Sequence, residues 1–168
     1  MSKFFKSKSS AAHSPAASLP LILLADDDEN DVLFMRIALE EAAIRNPLFV
    51  VNDGQETIEY LAGEGPYADR NRHPLPQLLI LDLNMPRMSG FDVLTWLQHR
   101  AKFNELPIVV LSSSSLENDI RKAKQLGAHD YRVKPPHLEN LVALVHDLHA
   151  RWLKQSNAQP PNALPVSR

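Results

Sequence analysis

Cysteine is absent from this 168-residue chain. That excludes disulfides, thiol catalysis and cysteine-ligated zinc, and it accords with a reducing compartment. No apolar stretch approaches the roughly 20 residues needed to cross a bilayer. The first residues also lack the apolar block of a secretory signal. An excess of charge is missing too: the formal net charge is −2, so nothing calls for a nucleic acid or an anionic membrane as partner. No internal repeat is present. The expectation is a cytoplasmic globular protein of ordinary apolar content, with one domain.

What is present is strongly patterned. Residues 1–18 hold Lys3, Lys6 and Lys8 among many Ser and Ala, without an acid. They are expected to form a disordered, solvated tail. Residues 154–168, rich in Pro, Asn and Ser, read as a second tail, which leaves residues 19–153 as the domain. Within it, short apolar runs alternate with helical patterns. Strands are expected at Leu21–Leu24, Leu48–Val51, Leu78–Leu81, Ile108–Leu111 and Tyr131–Val133. Helices are expected over Asn30–Ala43, Gln55–Ala62, Gly90 to about Arg100, from Ser114 to Leu126, and along the stripe Leu138, Leu141, Val142, Val145, Leu148, Trp152. Ser114, followed three residues later by Glu117, has the form of a capping box, and Gly127 is a favoured helix stop. Five strands alternating with five helices predict an α/β fold with a doubly wound parallel sheet. One link is irregular: Glu64–Gln77 is long and holds Pro66, Pro74 and Pro76.

The candidate chemistry sits at the strand ends. A parallel sheet gathers the C-terminal ends of its strands on one edge. Asp26 and Asp27 follow the first strand, Asp82 the third, Ser112 the fourth and Lys134 the fifth. Three carboxylates at close quarters repel one another and call for a cation. Hard oxygen donors without His or Cys favour magnesium (Mg), or manganese in its place. Asp82 is then placed to attack a phosphoryl group and carry it as an acyl phosphate. Lys134 offsets charge on the phosphoryl oxygens, and Ser112 donates a hydrogen bond to one of them. Asp28, Glu29 and Asp31 read as helix cap and solvated face. His146 and His149 lie one turn apart on the last helix with no third ligand in view, and read as exposed polar positions.

These residues, in this order, resemble the receiver domain of two-component response regulators over Leu21 to about Leu153. Asp26 and Asp27 fall on that family's acidic pair and Asp82 on its phospho-acceptor. Asn84 falls on the position whose backbone carbonyl completes the magnesium site. Ser112 matches the Ser/Thr switch, Lys134 and Pro135 the Lys-Pro dipeptide, and Tyr131 the aromatic that changes rotamer on activation. Met85, Pro86 and Gly90 match the loop after the acceptor. The resemblance implies a flavodoxin-like, five-stranded sheet of order 2-1-3-4-5 with five helices. The link containing Tyr67, the stretch Leu81–Pro86 and the ending Arg151, Trp152, Leu153 resemble receivers partnered with phytochrome-type histidine kinases. A histidine kinase as phosphodonor is therefore implied. The last two helices and strand five are the surface expected to change and the one open to a homodimer. Two features depart from the pattern: Ser112 stands where Thr is commoner, and Pro136 follows Pro135.

Two rival functions are discriminated by the sequence. A phosphohydrolase with an aspartyl nucleophile needs a second acid two residues after the first; Asn84 stands there and cannot serve as a general acid. A receiver-like binding module that takes no phosphate would not need the full set of acids, hydroxyl and lysine. The expectation is a phosphoacceptor rather than a turnover enzyme. With no output module after Leu153, its output is expected through a protein contact or onward phosphotransfer.

Overall fold

The computed structural model describes residues 19–154; both expected tails lie outside the described residues except for Lys154. Five strands form one parallel sheet: β1 (Ile22–Ala25), β2 (Leu48–Val51), β3 (Leu78–Leu81), β4 (Ile108–Ser112) and β5 (Asp130–Val133). Their order is β2-β1-β3-β4-β5, as expected. β1, β3 and β4 are buried throughout, which explains why they read as unbroken apolar runs: helices cover both faces.

The helices are α1 (Glu29–Glu41), α2 (Gly54–Ala62), α3 (Gly90–Gln98), α4 (Glu117–Gln125) and α5 (Leu138–Leu148). Alternate residues of each strand point to opposite faces. Ile22, Leu24, Ile80 and Val109 pack with Met35 and Leu39 of α1 and Leu141, Val145 and Leu148 of α5. Leu23, Ala25, Leu81 and Val110 pack on the other face with Leu61 of α2, Val93 and Leu94 of α3, and Ala123 of α4. Ala123 is the only buried residue of α4, so that helix has the shallowest seat.

The cap expected at the start of α4 is not formed. Leu116 occupies the N-cap position without a side-chain bond. The Ser114 hydroxyl, two residues before the N-cap, instead donates to Asp119 Oδ2 at 2.5 Å, at the third position of the helix. The stop is as expected: Gly127 has φ +98°. At the far end, α5 continues into a π-helical turn, His149–Leu153. The wider turn brings Leu153, five residues after Leu148, back toward the core, which a regular 3.6-residue turn does not. Both are buried.

The long link after α2 is held by its own side chains. A short 3-10 turn, Gly65–Tyr67, carries Tyr67 into contact with Phe49, Tyr60 and His73, with ring centroids 5.9, 5.1 and 5.1 Å away. The Tyr67 hydroxyl donates to Glu56. Arg70 donates to the Tyr60 and Leu61 carbonyls at 2.8 Å each, satisfying the end of α2. The link therefore fixes α2 against the sheet.

Candidate functional site

Register places the site. Ala25 pairs with Leu81 across β1 and β3, so Asp26 and Asp82 leave the sheet side by side. The Asp82 N–H donates to the Ala25 carbonyl at 2.9 Å. Ser112 pairs with Val133, which sets Lys134 just beyond the end of β4, its N–H on the Ser112 carbonyl at 2.8 Å. Asp28 caps α1, accepting from the N–H groups of Asn30 and Asp31, and so ends the chain's turn immediately after the acidic pair.

Lys134 is the centre of the arrangement. Its Nζ lies 2.8 Å from Asp26, 2.9 Å from Asp82 and 2.6 Å from Asp31. Asp31 was expected on a solvated face; it stays partly exposed but also pairs with Lys134, whose side chain reaches from the end of β5 to the first turn of α1. No local signal in the sequence marks Asp31, since its partner is 103 residues away. Asp82 uses its other oxygen, Oδ1, to accept from the Asn84 N–H at 3.2 Å.

Asp26, Asp27 and Asp82 each offer a carboxylate oxygen, and these oxygens lie within 4.8 Å of one another. Three carboxylates, of Asp26, Asp31 and Asp82, pair with one ammonium, and Asp27 adds a fourth negative charge beside them. The donor set fits a hard divalent cation: it is all oxygen, it is over-negative, and Asp27 remains exposed at its mouth. Burial pushes the Asp26 carboxyl above its ordinary range, against the opposing pull of Lys134. Burial also works to lower the Lys134 ammonium, but its hydrogen bonds to Asp26, Asp31 and Asp82 outweigh that and hold it above the usual lysine value.

The sign follows for each. Lys134, raised, contributes its stability fully below its unfolded pKa and loses it only in strong alkali. Asp26, also raised, contributes in acid and loses that contribution as pH rises through its folded value. At neutral pH a charged Asp26 is therefore a cost in the metal-free protein. Asp26→Asn is expected to stabilise the metal-free chain at pH 7 by about 1 kcal/mol, read by urea unfolding, with the gain vanishing in acid.

The remaining expected residues also reach this edge. Ser112 is fully buried at the end of β4, and its Oγ accepts from the Ser114 N–H at 3.4 Å. Tyr131 on β5 donates its hydroxyl to the Ser114 carbonyl at 2.8 Å, tying β5 to the β4–α4 loop.

The family model of the response regulator receiver domain matches residues 22–146. This chain belongs to that family. The response regulator Rcp1 of Synechocystis sp. is 29% identical over 134 residues, covering 80% of this chain and 89% of that protein. Rcp1 has been solved in its Mn(2+)-bound form, with a TM-score of 0.71 to this structure at 28% identity, over 88% of this chain and 99% of that one. The phosphorylated cyanobacterial phytochrome response regulator RcpA matches at 32% identity with a TM-score of 0.74, over 86% of this chain and 100% of that one. The response regulator RPA3017 in red light signaling of R. palustris matches at 32% identity with a TM-score of 0.77 and the same coverage. The receiver thus has relatives among phytochrome-associated response regulators. Among the described residues no helix is long and apolar enough to cross a membrane.

Proposed function

We propose that this receiver is a single-domain, cytoplasmic response regulator that accepts a phosphoryl group on Asp82 from the phosphohistidine of a histidine kinase. The observation that carries the reading is the convergence of Asp26, Asp27 and Asp82 beside Lys134 at one sheet edge. An Asp82 oxygen forms the new P–O bond as the P–N bond of the phosphoimidazole breaks, and the imidazole leaves. Asp26, Asp27, Asp82 and the Asn84 carbonyl would hold magnesium, whose charge offsets that of the phosphoryl oxygens when bound. Lys134 offsets charge on the phosphoryl oxygens, and the Ser112 hydroxyl is drawn to the phosphoryl group with the β4–α4 loop. Water later returns Asp82 to the free acid. With Asn84 in place of a general acid, the chain promotes its own phosphorylation and its loss without being a turnover enzyme.

The output follows from the same edge. Tyr131 is bonded to the Ser114 carbonyl, so a shift of Ser112 is felt on β5 and at the start of α4. The shallow burial of α4 supports it as the element that moves. The face of α4, β5 and α5 is the proposed contact surface, for a target or a second copy. The relatives RcpA and RPA3017 favour a phytochrome-type kinase as donor.

Incubation with magnesium and acetyl phosphate tests the reading. The expected product is one acid-stable, base-labile phosphoryl adduct per chain, absent when magnesium is chelated. No adduct would instead identify a phosphate-independent binding module, and continuous release of phosphate from simple esters a hydrolase.

A further inference from the structure

We infer that Arg87 and Asp53 form a latch on the β3–α3 loop that sets the metal affinity of the acidic cluster, an inference that rests on the cation site proposed above. The loop leaves Asp82, carries Asn84, and bends sharply at Arg87. There the Met88 N–H donates to the Pro86 carbonyl at 2.6 Å, and Arg87 has φ +61°. A three-residue turn with positive φ at its centre is rare and strained for a bulky residue. Such strain persists only where the surroundings over-determine it, and it clusters at functional segments.

Two contacts to the first turn of α2 hold the bend. The Arg87 guanidinium pairs with Asp53 Oδ2. Asp53 is 1% exposed, and its Oδ1 accepts the Glu56 N–H at 2.8 Å as the cap of α2. Beside it, the Gly54 N–H donates to the Met88 carbonyl at 3.0 Å. A Cβ at Gly54 would lie 2.4 Å from that oxygen, so glycine is required for the loop to seat. Arg87 contributes the only cation paired with Asp53 among the described residues. Its side chain is otherwise 69% exposed, so its place is not dictated by packing. The same α2 is fixed to the sheet by Tyr67 and Arg70, which makes its first turn a firm anchor. Neither Arg87 nor Asp53 touches the acids; both are positioning residues, acting through the loop that bears Asn84.

Uptake of Mn2+ by the full chain, followed by the resonance of the free ion, tests the latch. Arg87→Ala and Asp53→Asn are each expected to weaken Mn2+ binding about tenfold, as loss of a residue supporting metal ligands does. Asn at 53 retains the cap of α2 while removing the charge. Combining the two should cost no more than either alone, because they break one interaction. Arg87→Lys should recover most of the affinity. In the metal-free chain, amide exchange over residues 83–89 should quicken in Arg87→Ala while α5 stays protected. Affinities within about twofold of the parent in both variants, or losses that add, would overturn the latch. A parent chain that takes up no Mn2+ would overturn the cation site as well; a parent that binds, with Arg87→Ala binding equally, overturns the latch alone.

Discussion

Lys134→Ala is expected to destabilise the metal-free protein by about 3 kcal/mol at neutral pH, and magnesium is expected to restore much of the loss. Asp26 and Asp82 are 2% and 5% exposed, and both use the same ammonium as their counter-charge. Removing it leaves buried carboxylates facing one another with no cation. Asp26, whose carboxyl burial already holds above its ordinary range, relieves the repulsion by taking up a proton, so the deficit should shrink in acid and widen as pH rises. A divalent cation among the same oxygens replaces the missing charge. The urea midpoint of Lys134→Ala should therefore depend on magnesium far more steeply than that of the parent, even though its phosphorylation is slowed. An equal response of both proteins to magnesium would show that Lys134 and the cation do not share these acids.

Gly90→Ala is the second large effect, and its cause is steric. A Cβ at position 90 would lie 2.2 Å from the Asp82 carbonyl oxygen and 2.9 Å from the Leu83 Cα. Both obstacles are backbone, so neither can swing aside as a side chain would. Either α3 withdraws, opening the packing of Val93 and Leu94 on the sheet, or the end of β3 moves. The expected cost is about 3 kcal/mol, read as a lowered unfolding midpoint. Because the displaced atoms belong to Asp82 itself, the folded fraction should also phosphorylate poorly. A variant as stable as the parent would mean that α3 does not press on the strand end.

Much of this was legible in the sequence because the sheet is parallel and buried. Unbroken apolar runs such as Leu78–Leu81 announce strands covered on both faces. Once the strands are parallel, the residues after them must share an edge, and Asp26, Asp82, Ser112 and Lys134 follow without coordinates. What stayed hidden depends on where one turn of helix meets another segment. Asp31 reads as a surface acid three residues after the Asp28 cap, and only the tertiary fold brings Lys134 to it. Asp53 is the cap of α2 and the partner of Arg87, 34 residues away, and that pairing leaves no local mark in the sequence. Ser114 has the spacing of a cap, but the helix starts two residues later than that spacing implies, with Leu116 at the N-cap, and the Ser114 hydroxyl reaches Asp119 instead. The long link Glu64–Gln77 reads only as an irregularity, and its order comes from Tyr67 and Arg70 reaching back to α2.

One carboxylate, Asp82, is proposed to carry the phosphoryl group. Borohydride reduces an acyl phosphate at Asp to the alcohol of homoserine, and peptide mapping then locates it. After treatment with magnesium and acetyl phosphate, homoserine is expected at position 82 alone, with no reduction product at all in Asp82→Ala. Homoserine at position 26 or 27, or an Asp82→Ala chain labelled as fully as its parent, would contradict it.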